Sequence, residues 1–154
     1  PHDAAHVVDA RDLARWMVRL VEEDIGGTYN ASGPSQHFSM GELIEACTEA
    51  TDASAEPTWI PAAFLEAQEV TPWADMPCWI PPGHEAAGMC TVSITRAFAT
   101  GLTCRPLADT ARDTLAWLAT ELPRRESPAL RAGLTPERAA EVLTTWDADA
   151  RAQA

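Results

Sequence analysis

One helix face constrains how this chain begins to fold. Leu13, Trp16, Met17, Leu20 and Val21 fall at i, i+3, i+4, i+7 and i+8, a complete apolar stripe for an α-helix. Asp9 stands where a helix N-cap belongs, and its carboxylate can accept the orphan N–H groups of the first turn. Asp12 sits at N3 with the sign that suits the helix dipole, and Val8 with Leu13 can form the hydrophobic staple. The helix should stop before Gly26-Gly27.

The pattern continues helical. Ser39-x-x-Glu42 is a capping box, flanked by Phe38 and Leu43, and the helix it opens should bury Leu43, Ile44 and Cys47. Ala62 to Glu69 reads as a short helix, and Ser93 to Thr100 as another, with Gly101 at its C′ position. Leu107, Ala111, Leu115, Leu118 and Leu122 make a second long stripe that Pro123 ends. Thr135-Pro136-Glu137 supplies an N-cap, a proline at N1 and an acid in the first turn of a last helix burying Ala139, Val142, Leu143 and Trp146. Thr28 to Ala31 and Glu56 to Pro61 read as short strands. The expected fold is therefore α+β, helix-rich with few short strands. It divides into a lobe at 1–122, a polar linker at 123–133 and a C-terminal helix at 134–154.

Residues 70–90 have no period and are rich in Pro, Trp and Met. A long aromatic loop in a compact domain is usually functional, and its apolar content argues against disorder. Trp73, Asp75, Met76 and Trp79 are the candidate substrate-binding residues here: aromatic and Met side chains offer an apolar wall, Asp75 a polar anchor. The same tryptophans would equally cap a core or fill an interface.

The net charge of −12, from 23 acids against 11 arginines and no lysine, repels phosphate backbones and anionic membranes. Neither nucleic acid nor a membrane is expected as a partner, and no apolar run approaches the length of a membrane span. The first residues carry acid and His where a secretory leader needs basic and apolar ones, so a cytoplasmic location with reduced thiols is expected. A start at Pro1 fits processing or truncation.

Three segments in order carry a family resemblance. The first is His6-Val7-Val8-Asp9 running into the Leu13-Ala14 helix. The second is Gly27-Thr28-Tyr29-Asn30-Ala31-Ser32-Gly33 followed by Phe38-Ser39-Met40-Gly41-Glu42-Leu43. The third is Ser93-Ile94-Thr95-Arg96-Ala97, then Gly101-Leu102-Thr103-Cys104-Arg105-Pro106-Leu107 and the helix to Trp117-Leu118. Together they resemble the C-terminal part of the extended short-chain dehydrogenase/reductase, or NAD-dependent epimerase/dehydratase, family. Ala132 to Trp146 is similar to an extension in one reductase-like, bacterial branch of it.

The resemblance implies the C-terminal, substrate-binding lobe of an NAD(P)-binding Rossmann-type enzyme. The parent would be an oxidoreductase, epimerase or dehydratase using NAD or NADP. This chain has no Gly-rich phosphate loop, its one tyrosine is Tyr29, and with no lysine it cannot form the family's Tyr-x-x-x-Lys pair. It is expected to be inactive alone, to carry no cofactor and no catalytic residue, and to meet a small-molecule substrate together with a missing N-terminal nucleotide-binding half. Apolar surface left by that missing half would favour a homodimer. The alternative is a stand-alone binding or interaction module derived from this lobe, using the Trp loop against a partner protein.

Other residues admit two readings each. Arg105 is the fifth substrate-binding candidate; it and Arg96 could meet an anionic group or serve in ion pairs. Asp9 could lie near a cofactor or act only as a cap, and His6 reads as structural. Cys78, His84 and Cys90 are regularly spaced, but a zinc site needs a fourth ligand, such as His2 or His37, and a Cys–His nucleophile needs an orienting third group. No metal is expected.

Overall fold

A computed structural model describes residues 1–34, 38–51, 54–126 and 132–152. The described chain is dominated by helices: α1 (Ala10–Glu22), α2 (Met40–Thr51), α3 (Ala62–Ala67), α4 (Thr95–Ala99), α5 (Leu107–Glu121) and α6 (Pro136–Ala152). Short 3-10 turns occupy Ala87–Cys90 and Leu122–Arg124. Among the described residues the sheet is a single antiparallel pair, β1 (Ala4–Ala5) with β2 (Phe38–Ser39), in register Ala4 to Ser39 and Ala5 to Phe38. The fold is thus helix-rich with a minimal sheet.

Neither expected strand forms. Residues 28–31 and 56–61 are extended or irregular without a ladder partner. Tyr29 is committed elsewhere: its ring meets Trp16 edge-on at 5.3 Å, its hydroxyl donates to the Gly26 carbonyl at 2.9 Å, and the Arg96 guanidinium lies over its ring at 5.1 Å. Asn30 donates from Nδ2 to the Ser93 carbonyl at 3.0 Å. Side-chain ties hold this segment where a ladder was expected.

The helix termini follow local chemistry. The Asp9 side chain accepts from the Arg11 N–H at 2.9 Å and caps α1, a contact worth about 1 kcal/mol. Ser39 and Glu42 form the reciprocal box: the Ser39 N–H donates to Glu42 Oε2 at 2.7 Å and the Glu42 N–H to Ser39 Oγ at 3.2 Å. Thr135 Oγ1 accepts from the Arg138 N–H at 3.2 Å ahead of Pro136. Helix α4 ends in a Schellman turn, with Gly101 at φ +92° and the Leu102 N–H donating to the Ala97 carbonyl at 3.1 Å. The same 6→1 bonds close α1 (Ile25 to Leu20, 2.8 Å) and α3 (Val70 to Leu65, 2.9 Å), but with Asp24 and Glu69 in the left-handed position.

Two apolar clusters organise the interior. The larger joins Ala5, Phe38, Met40, Leu65, Val70, Trp79 and Val142, so both strands, α2, α3, the 70–80 loop and α6 share one core. Each large side chain buried there contributes roughly 1.5–3 kcal/mol of transfer free energy. The smaller cluster packs Trp16 of α1 on Ala97 and Leu102 of the α4 turn, where the Trp16 indole N–H is shared between the Thr100 carbonyl (3.3 Å) and hydroxyl (3.2 Å).

The α1 stripe is only half covered. Leu13, Trp16 and Leu20 join the smaller cluster, whereas Met17, Val18 and Val21 are exposed, Val21 at 82%. The helix is turned so that Asp12, at 3% exposure, faces inward instead. On α2, Leu43 and Ile44 are half-buried but Cys47 is exposed. On α5, Leu107 reaches the larger core while Leu115 and Trp117 stay exposed. Part of the expected linker at 123–133 lies outside the described residues; at its far end the Gly133 N–H donates to the Ala74 carbonyl at 2.8 Å.

Candidate functional site

The 70–80 loop is a knot of short hydrogen bonds. The Asp75 carboxylate accepts from the Thr71 N–H at 2.8 Å while the Asp75 N–H returns to the Thr71 carbonyl at 3.0 Å. The Trp73 N–H donates to the Trp79 carbonyl at 3.0 Å, with Trp73 and Cys78 both at positive φ (67° and 64°). The Leu134 N–H donates to the Asp75 carbonyl at 3.1 Å, and Arg138 donates from Nη2 to the Gln68 carbonyl. These bonds tie the loop to the start of α6. Phe64 of α3 then meets Trp146 edge-on at 5.1 Å, fixing α6 across α3.

Between them lies a cleft of about 590 Å³, within the size range of small-molecule sites. Met76 and Trp79 line its loop side, Met40 and Ile44 the α2 side, Trp59 and Ile60 the segment before α3, and Val142 and Leu143 the α6 side. Its wall is almost wholly apolar. The one ionisable side chain in it is Asp3, whose Oδ2 accepts from the Trp79 indole N–H at 2.7 Å. Asp3 is itself fixed by its backbone, because its carbonyl accepts from the Met40 N–H at 2.8 Å.

The structure thus separates the five candidate substrate residues. Met76 and Trp79 line the cleft. Asp75 braces the loop from within, through Thr71. Trp73 is half exposed outside the cleft. Arg105 lies away from it, closed on Asp12 by Nη2–Oδ1 at 2.7 Å and Nε–Oδ2 at 3.0 Å, with Asp9 at 3.3 Å. Asp3, Met40, Ile44, Trp59, Ile60 and Val142 were not singled out from the sequence. The helical stripes marked Ile44 and Val142 as buried, but nothing local could show that they meet Trp79.

Electrostatics separate the two regions. Asp9 and Asp12 hold their protons less readily than ordinary carboxylates, Asp9 strongly so: Arg11 dominates at Asp9 and Arg105 at Asp12, in each case against an opposing cost of burial. Thr110 also donates to Asp9, at 3.1 Å, and Arg11 reaches Asp113 at 2.6 Å, so α1 and α5 are joined through charge. Burial pushes the Cys78 and Cys90 thiols up, and at Cys78 the neighbouring thiols Cys47 and Cys90 add to it. That direction is opposite to what a thiolate nucleophile needs. His84 accepts from the Ala86 N–H through Nδ1 at 3.1 Å, and His37 lies outside the described residues. Among the described residues no group of three or more His, Cys, Asp or Glu is placed to hold a metal ion, and no helix is long and apolar enough to cross a membrane.

Compared with protein-family profiles, curated proteins and solved structures, the chain finds no match.

Proposed function

We propose that this chain is the substrate-binding portion of an NAD(P)-dependent reductase, epimerase or dehydratase, holding the apolar part of a small-molecule substrate in the Trp79 cleft. The cleft carries the reading: about 590 Å³ of apolar space built jointly by α2, α3, α6 and the Trp loop. A wall of Trp, Met, Ile and Leu suits an apolar substrate group better than a sugar nucleotide, which favours a reductase. The family resemblance supplies the rest of the proposal. NAD or NADP would be held by a nucleotide-binding half, and these residues would contribute binding and orientation rather than hydride transfer.

Calorimetric titration with a neutral biphenylpropyl alcohol tests the cleft. Binding is expected, and Leu143→Trp, which fills the α6 wall, should weaken it at least tenfold. No binding, or binding indifferent to Leu143→Trp, would remove the proposal. NADPH should not bind this chain alone, and tight binding would place the nucleotide site here after all.

Trp73 favours a second reading, that of a protein-interaction module. Its indole is half exposed beside the cleft rather than in it, on a backbone locked at φ +67°. Under that reading Trp73→Ala abolishes partner binding and leaves alcohol binding unchanged.

A further inference from the structure

We infer that the Trp79 cleft selects ligands whose apolar body ends in a protonated amine, with Asp3 as the group that recognises it. This deepens the small-molecule reading and rests on it.

Four observations meet at Asp3. It is the one ionisable side chain in a mostly apolar lining, whose other polar members are Thr58 and the amino-terminal residue Pro1. Its position is fixed twice, by the Met40 N–H on its carbonyl and by the Trp79 indole N–H on Oδ2, at 2.8 and 2.7 Å. The indole bond occupies one carboxylate oxygen and is neutral, so the charge is not cancelled. None of the arginine ion pairs among the described residues involves it. A half-buried carboxylate thus stands beside an apolar wall with its Oδ2 on the indole and no arginine drawn to it.

An anionic ligand end fits poorly. No arginine lines the cleft. Arg138 adjoins the lining residue Ala139, but its Nη1 is held by Glu141 at 3.0 Å and its Nη2 by the Gln68 carbonyl. The chain carries a net charge of −12, so its wider field also attracts cations and repels anions. An ammonium donates to Asp3 with full opposite charge, a hydroxyl donates to it as a dipole only, and a carboxylate meets like charge.

The test uses three probes that share a biphenylpropyl body and end in an ammonium, a hydroxyl or a carboxylate, each titrated calorimetrically into the whole chain at neutral pH. The ammonium should bind about tenfold tighter than the alcohol, and the carboxylate weakest. In Asp3→Asn the amide oxygen still accepts from the Trp79 indole, so the apolar cleft keeps its shape while the preference for the ammonium over the alcohol falls below about threefold. If the alcohol or carboxylate binds as tightly as the ammonium, or if Asp3→Asn keeps the preference, the amine assignment is overturned and the apolar cleft stands. If no probe binds, both readings fall together.

Discussion

Arg105 grips Asp12 at three points: its own backbone N–H at 2.9 Å and Nε at 3.0 Å meet Oδ2, and Nη2 meets Oδ1 at 2.7 Å. The Asp12 side chain is 2% exposed and that of Arg105 20%. The pair therefore joins the first turn of α1 to the chain just before α5, across 93 residues of sequence. Removing Asp12 leaves a half-enclosed guanidinium with only the longer contacts to Asp9 at 3.3 Å and Asp113 at 4.0 Å. Asp12→Ala should cost about 3 kcal/mol, at the low end for a broken buried pair because Arg105 keeps some water. Urea unfolding with an unchanged m-value checks it, and a loss under about 1 kcal/mol would show the pair to be dispensable. Arg105→Ala should also destabilise, while leaving binding in the Trp79 cleft unaltered.

The same carboxylates make stability depend on acid. Asp9 and Asp12 have native pKa values depressed below the ordinary 3.8, chiefly by Arg11 and Arg105 respectively. Near and below pH 4 the unfolded carboxylates bind protons that the native ones refuse, so unfolding takes up protons and is favoured by acid. Their contribution is fully present above about pH 5 and is lost as pH falls through 3.8 toward the native values. Unfolding free energies measured between pH 7 and 3 should fall on the acid side only. Asp12→Asn should flatten that fall; an equal slope in the variant would assign the acid sensitivity elsewhere.

How much of this was legible in the sequence divides by range. Caps were legible because each is a contact across two or three residues: Asp9 to Arg11, Ser39 to Glu42, Thr135 to Arg138. Strands were not, because pairing is non-local and the real partners, Ala4–Ala5 and Phe38–Ser39, are two residues each and show no alternation. The α1 stripe pointed to the right helix but the wrong rotation. Burying Asp12 with Arg105 turns Met17 and Val21 outward, and an ion pair 93 residues apart leaves no periodic trace. The Trp loop revealed itself by composition, yet only Met76 and Trp79 of its four candidates line the cleft. Its tight turns, with Trp73 and Cys78 at positive φ, send neighbouring side chains in different directions.

The outward apolar face of α1 should behave as an association surface. Met17, Val18 and Val21 are 55%, 56% and 82% exposed on adjacent turns. Light scattering at rising concentration should show self-association that Met17→Glu with Val21→Gln suppresses, with helix content unchanged. A monodisperse monomer at all concentrations would leave that face simply solvated.

Two left-handed helix ends, at Glu69 and Gly101, should respond to substitution in opposite directions. Glu69 holds φ +56° as the C′ residue of α3, a conformation that costs a residue with a Cβ about 1 kcal/mol relative to glycine. Glu69→Gly should raise stability by roughly 0.5–1 kcal/mol, reduced by the freer unfolded chain. Gly101→Ala should do the reverse at φ +92°, and a Cβ there would also crowd the Arg19 guanidinium that pairs with Glu23. Melting temperatures of the two variants should move in opposite directions, and a shared direction would refute the conformational account.

Gly33 is held glycine by a neighbour rather than by its backbone. A Cβ on it would run into the Cys104 Sγ and approach the Val7 carbonyl at 3.1 Å. Cys104 lies one residue before Arg105, so displacing its sulfur pulls on the Asp12 grip. Gly33→Ala should therefore destabilise by about 1–3 kcal/mol, the usual cost of overpacking. Cys104→Ala removes the sulfur that the new methyl meets, so the double variant should be more stable than the sum of the two single changes predicts, by at least about 1 kcal/mol. A double-mutant cycle in urea measures this coupling, and strict additivity would show that the Cβ is accommodated by movement of the 31–34 backbone instead.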